Sequence, residues 1–213
     1  MDHDIARAIE TLEEDIVLGR LHPRERITED GLLERFGLKR HVVREVLASL
    51  DRMGLVERKK NIGAVVRSFS QQEVMELYAM RELLETEAAK LMPLPVSAGQ
   101  IEQLMSMQRE HDTANRLDDL RRVFRANLAF HHALFSMVGN QVLQRAIDEY
   151  ARQTHSIRFS TLTSSEYRNQ AKQEHWQMIE ALKENNRATL VTLCREHLLP
   201  ARDAYLALNR ARL

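Results

Sequence analysis

Apolar residues recur at helical spacing from the start of the chain. Ile5, Ile9, Leu12, Ile16 and Val17 form one stripe, which Gly19 closes. Thr28 is placed to cap a short helix that ends at Phe36-Gly37, and Val42, Val43, Val46, Leu47 and Leu50 mark a second, stopped by Gly54. Residues 55–58 and 64–67 are β-rich runs on either side of a turn containing Asn61 and Gly63. Helix, helix, turn, helix and a two-stranded wing is the order of a winged helix-turn-helix. Beyond residue 70 only helical patterns continue. Ser70 and Glu73 have capping-box spacing and open a helix with the stripe Val74, Leu77, Arg81, Leu84 and Ala88. Pro93-Leu94-Pro95 breaks the chain, and further helices are predicted over 97–116, 118–138, 141–159, 164–182 and 186–208, the last kinked by Pro200. The fold expected is mainly α: a winged helix-turn-helix over 1–69, then an all-α six-helix bundle over 70–213.

Composition sharpens this division. Five of the seven glycines lie in the first 63 residues, so tight turns concentrate there. The chain carries 31 Lys+Arg and 31 Asp+Glu, but the zero net charge hides a split. Residues 1–34 hold four basic and ten acidic side chains, a net of −6; residues 35–67 hold nine and three, a net of +6. A basic block inside a neutral chain is a localised anion-binding surface. One cysteine cannot form an internal disulfide, and no apolar run reaches the ~18 residues that span a bilayer. Met1-Asp2-His3-Asp4 is acidic where a secretory signal is basic. A cytoplasmic protein without a membrane partner is expected.

The basic block falls on the second helix of the turn, Leu38-Lys39-Arg40-His41-Val42-Val43-Arg44. Arg40 and Arg44 are four apart and share a face, while the valines and leucines hold the helix to its domain. An arginine fork can bond O6 and N7 of guanine together, so this face suits a major groove. Lys39 and His41 flank it. Lys59, Lys60 and Asn61 furnish the wing, and Gly63 permits close backbone approach to DNA. Gly19 to Ile27, Phe36-Gly37-Leu38, Arg40 to Leu47, Gly54-Leu55-Val56 and Asn61 to Val66 resemble the DNA-binding domain of GntR-type bacterial transcription regulators. The chain departs from that pattern at Arg24, where the family usually has Gly, at Lys39, where it has Ser or Thr, and at Ile62, where it often has Arg. Losing the hydroxyl cap weakens the helix N-terminus by ~1 kcal/mol.

In the bundle, three inward stripes carry a histidine where a leucine is expected. They read Phe124, Asn127, His131, Leu134; Ala171, His175, Met178; and Leu190, Cys194, His197, Ala201. A buried unpaired imidazole is costly, whereas three that converge can share a divalent cation, zinc first, with nickel, cobalt or manganese as alternatives. Asn127 and His131 stand one helical turn apart, so both can ligate from one helix. Glu174 and Glu196 are placed towards solvent, with orientation of a neighbouring imidazole as their other role. His111, His132 and His155 fall off the inward registers. Arg81 sits mid-stripe and needs an anionic partner: Glu85, another core carboxylate, or the carboxylate of a bound effector, with Tyr78 lining the same pocket and Arg158 on the fourth helix a second candidate for that carboxylate.

Met80 to Glu85, Asn127-x3-His131, Gly139-Asn140, Glu174-His175, Ala181-Leu182 and His197-Leu198 resemble the FCD ligand-binding domain of one GntR branch, in its shorter, vanillate-regulator-like form. The resemblance implies a divalent metal held by Asn127, His131, His175 and His197, with Asn127 where the family most often has Asp. It also implies a small organic acid effector. Together these features predict a homodimeric regulator that binds a palindromic double-stranded operator and represses until effector binds. A metal-free pocket is the alternative. A three-histidine metal with an open position also describes a hydrolase. No inward acid is placed there as general base, and the winged helix would be left unexplained, so no enzyme is expected.

Overall fold

The first stripe forms α1 (Asp2–Val17), which buries Leu12 and Ile16 against the third helix. After β1 (Arg26–Ile27), the Thr28 hydroxyl accepts from the Gly31 amide and starts α2 (Glu29–Phe36), which Gly37 closes at a left-handed φ of 64°. The helix α3 (Arg40–Arg52) follows, with Lys39 at its N-cap making no side-chain capping bond. Val43, Val46, Leu47 and Leu50 are its buried face. The wing is β2 (Val56–Lys59) and β3 (Gly63–Val66), paired antiparallel from Val56↔Val66 to Lys59↔Gly63. The sequence pattern missed β1, whose two residues pair with β3 and make a three-stranded sheet of order β1-β3-β2. Two residues are too short for an alternation signal. Gly63 lies at φ 101°, and a Cβ there would meet the Ile27 carbonyl oxygen, so this sheet itself requires the glycine.

The computed structural model describes residues 2–59 and 63–210, so the predicted wing residues Lys60 and Asn61 lie outside the described residues. The chain divides into two units. The first holds the chain through Ser70 together with Arg152–Phe159; the second holds Gln71–Ala151 and the chain from Ser160. The chain thus crosses between units three times.

The second unit is helical: α4 (Gln71–Leu91), α5 (Ala98–Arg116), α6 (Leu120–Ser136) and α7 (Gln141–Gln153). A 3-10 turn (His155–Arg158), assigned to the first unit, leads to α8 (Phe159–Thr163), α9 (Ser165–Lys183), α10 (Arg187–Glu196) and α11 (Leu199–Arg210). Ser97 and Gln100 make the capping box of α5, and Asn186 caps α10 through the Thr189 amide. Leu104, Phe130, Leu134, Met178, Ile179, Leu182 and Leu190 form the core, each burial stabilising by roughly 1.5–3 kcal/mol. Two of the six predicted helices are broken. The last divides at His197-Leu198, because the Pro200 ring would clash with the carbonyl four residues earlier. The 141–159 helix stops at Gln153, because Thr154, His155 and Ile157 are buried in the first unit instead. There His155 Nδ1 lies 2.9 Å from Glu13 Oε1, both groups buried. His155 therefore is inward-facing, contrary to its sequence register. No helix among the described residues is long and apolar enough to cross a membrane.

Candidate nucleic-acid interface and metal centre

In the first unit, Arg40 and Arg44 stand on the first two turns of α3 with side chains 56% and 58% exposed. They are not bare cations. Arg40 reaches Glu29 at 3.3 Å and Asp30 at 2.9 Å, and Arg44 reaches Glu29 at 3.0 Å. The acidic first turn of α2 is thus laid against the basic start of α3. Exposed pairs of this kind stabilise by about 0–1 kcal/mol each, so an incoming nucleic acid can exchange for them. Lys39 and His41 are exposed beside the arginines, and Lys59 on β2 pairs with Glu57 at 2.8 Å.

In the second unit, the three histidines meet. His131 comes from α6, His175 from α9, and His197 is the residue that ends α10. His131 Nε2 lies 3.1 Å from His197 Nε2 and 3.2 Å from His175 Nε2. Among the described residues, these three are the group whose donor atoms lie within 4.8 Å of one another. Zinc ligands at ~2.0–2.1 Å in a tetrahedron stand ~3.3 Å apart, so the spacing and the neutral nitrogen donors fit a divalent ion. Phe130 stacks on the His175 ring at 4.2 Å and fixes its plane. Asn127 lies half-buried one turn before His131.

The outer nitrogens of His197 and His175 are engaged as well. His197 Nδ1 is 2.5 Å from Glu174 Oε2, and Gln170 donates to the other Glu174 oxygen at 2.8 Å. Glu174 is half-buried rather than turned to solvent, and it holds the histidine of α10, not its neighbour in sequence. Burial alone would raise its pKa; the hydrogen bond and charge of His197, with Gln170, outweigh this and hold the carboxyl below the ordinary value. Glu196 is exposed. His175 Nδ1 lies 2.7 Å from Oε1 of the fully buried Gln108 on α5. Gln108 Nε2 in turn donates to Asp112 Oδ1 at 2.7 Å, and Trp176 Nε1 donates to Asp112 Oδ2 at 3.0 Å. His111, although off the inward register of the sequence, is buried with its ring 5.3 Å edge-on to His175. Burial lowers its pKa to about 4 despite the opposing charge of Asp112. The α5 residues escaped the pattern because Gln, His and Asp on a helix read as a wet face.

The proposed effector residues are divided. Arg81 is buried on α4 and paired with Glu85, Nε at 2.9 Å and Nη2 at 2.8 Å, over the Tyr78 ring at 5.4 Å. The core carboxylate is thus the partner present. Glu85 also adds to the burial that raises the Cys194 thiol pKa. Arg158 lies in the 3-10 turn of the first unit, not among the bundle residues.

Comparison with known proteins matches residues 5–66 to the gntR family of bacterial regulatory proteins and residues 76–199 to the FCD domain. The Bacillus subtilis HTH-type transcriptional regulator YdhC is 26% identical over 83% of this chain and 79% of its own. The Escherichia coli HTH-type transcriptional repressor GlaR is 28% identical over 88% of this chain and 89% of its own. A solved GntR transcriptional regulator from Rhodococcus sp. RHA1 shares the fold, with a TM-score of 0.79 at 19% identity over 95% of this chain and 97% of that one. The chain belongs to the GntR family of bacterial transcription regulators, as a DNA-binding regulator with an FCD effector-binding domain rather than an enzyme.

Proposed function

We propose that this regulator binds a divalent metal, zinc first, at His131, His175 and His197, and that a small organic acid completes the site. The convergence of three Nε2 atoms carries the reading. Three imidazoles at one point repel as they protonate but cooperate around a cation. A bound cation with open positions supplies a Lewis acid that attracts a carboxylate. Asn127, one turn from His131, is the further ligand. Arg81 and Tyr78 meet the effector's far end, its carboxylate exchanging for that of Glu85 on the guanidinium.

A homodimer in the cytoplasm addresses a palindromic operator through Arg40 and Arg44, with Lys39, His41, Lys59, Lys60 and Asn61 on the backbone. Repression is in line with the name of the E. coli relative, a transcriptional repressor; effector binding releases it. A coupling of ~1–3 kcal/mol between effector and operator changes occupancy about 5- to 150-fold.

Metal analysis of protein purified without a histidine tag tests the centre. One divalent ion per chain, lost in His131→Ala with the fold intact, is expected. Metal-free wild-type protein that takes up no zinc, nickel, cobalt or manganese overturns the proposal. A thermal-shift screen of mono- and dicarboxylates on the loaded protein then identifies the effector class.

A further inference from the structure

Each hydrogen bond from Trp176 to His175 has a sense that its chemistry dictates. The indole Nε1 can only donate, and it donates to Asp112 Oδ2 at 3.0 Å. An ionised carboxylate can only accept, so the group 2.7 Å from Asp112 Oδ1 must be the amino side of the Gln108 amide. That turns Gln108 Oε1 towards His175 Nδ1, 2.7 Å away. A carbonyl oxygen accepts, so Nδ1 carries the hydrogen and Nε2 keeps its lone pair. Nε2 is the atom 3.2 Å from His131 Nε2 at the centre of the histidine group. Gln108 is fully buried, so no water substitutes for either partner.

We infer that Asp112, through Gln108, is a positioning residue that sets the tautomer of His175 and so keeps a lone pair aimed at the metal point. The inference concerns the proton on an uncharged ring and rests on the proposed metal centre only for its consequence. Neither residue touches the ion. They act as the outer partners that fix ligand tautomers in metal sites, whose loss typically weakens binding 10- to 100-fold.

The polarity can be reversed on purpose. In Asp112→Asn, the new amide has one acceptor for two donors, the Trp176 N–H and the Gln108 amino group. Turning Gln108 over resolves the conflict. Its amino group then faces His175 Nδ1, which shifts the hydrogen to Nε2. Adding Gln108→Glu to Asp112→Asn restores a consistent order: the carboxylate at 108 accepts from Nδ1–H on one side and from the amide at 112 on the other.

The test combines ring-nitrogen NMR on metal-free protein with zinc affinity by chelator competition. In wild type, His175 is expected with hydrogen on Nδ1. Asp112→Asn is expected to move it to Nε2 and weaken zinc binding about 10- to 100-fold, and the exchanged pair to return both to near wild type. A wild-type ring with hydrogen on Nε2 overturns the inference without any variant. So does an Asp112→Asn protein with unchanged tautomer, or a folded exchanged pair that restores neither property. If the tautomers follow the prediction while wild type binds no zinc, the relay stands and the metal centre falls. If zinc binds equally to all three with the tautomer constant, the reverse holds. Trp176, the sole tryptophan, is hydrogen-bonded into the relay and gives an independent fluorescence signal of the exchange.

Discussion

The arginine face of the first unit and the histidine centre of the second both gather polar groups, under opposite conditions. Arg40 and Arg44 lie in water, and their acidic partners exchange at a cost of about a kcal/mol each. The histidines lie against Phe130 and Phe135, and the outer nitrogens of His175 and His197 face the Gln108 carbonyl oxygen and the Glu174 carboxylate. The first arrangement can trade Glu29 and Asp30 for phosphates and bases. The second is largely shielded, with His175 fully buried and His131 and His197 half-buried, so one wrong hydrogen changes what the site can bind. The proposed DNA face is labile by exposure, and the proposed metal centre is discriminating by burial.

Acid is the strongest lever on this contrast. His111 takes a proton near pH 6.5 when unfolded and only near 4 when folded. Between those values the unfolded chain holds more protons, so stability rises with pH across the window. The contribution is complete above 6.5 and lost as pH falls towards 4, at most roughly 3 kcal/mol. Denaturant unfolding of chelator-treated protein from pH 4 to 7.5 checks this, with His111→Gln expected to flatten the slope relative to wild type. An unchanged slope would show that the ring's burial is not felt.

On the exposed side the effects are smaller. Arg40→Ala is expected to cost ~1–3 kcal/mol on the best site selected from random duplexes, with relaxed preference at one base pair. Equal loss on selected and random DNA would make Arg40 a phosphate contact. Smallest is Asp30→Asn. The Asp30 side chain is 82% exposed and pairs with Arg40. Removing its charge leaves Glu29 to hold both arginines and is expected to tighten DNA binding by up to about fivefold, within the range of one exposed pair. Weaker binding in anisotropy titrations would mean that Asp30 itself receives a base amino group.

The contrast also explains what could be read from the chain. Periodicity placed the histidines at 131, 175 and 197 on inward stripes because each replaces an aliphatic residue in a 3.6-residue repeat. It placed the α3 arginines on one face for the same reason. It missed whatever depends on a partner distant in sequence. Gln108 lies 67 residues before His175, and Glu29 lies 11 and 15 residues before the arginines it holds. It also missed the end of α7, since no glycine or proline marks Gln153 and burial in the first unit decides the break. His155 joins Glu13 across 142 residues of sequence.

That last pairing bears on how the molecule can be taken apart. A gene fragment ending at Ser70 would encode every residue proposed to contact DNA yet omit Arg152–Phe159, leaving Glu13 without the imidazole that meets it in the interior. Joining this winged helix to another effector domain by a single cut after Ser70 would cause the same deficit. A graft that carries the eight-residue segment along with the winged helix would keep that interior whole.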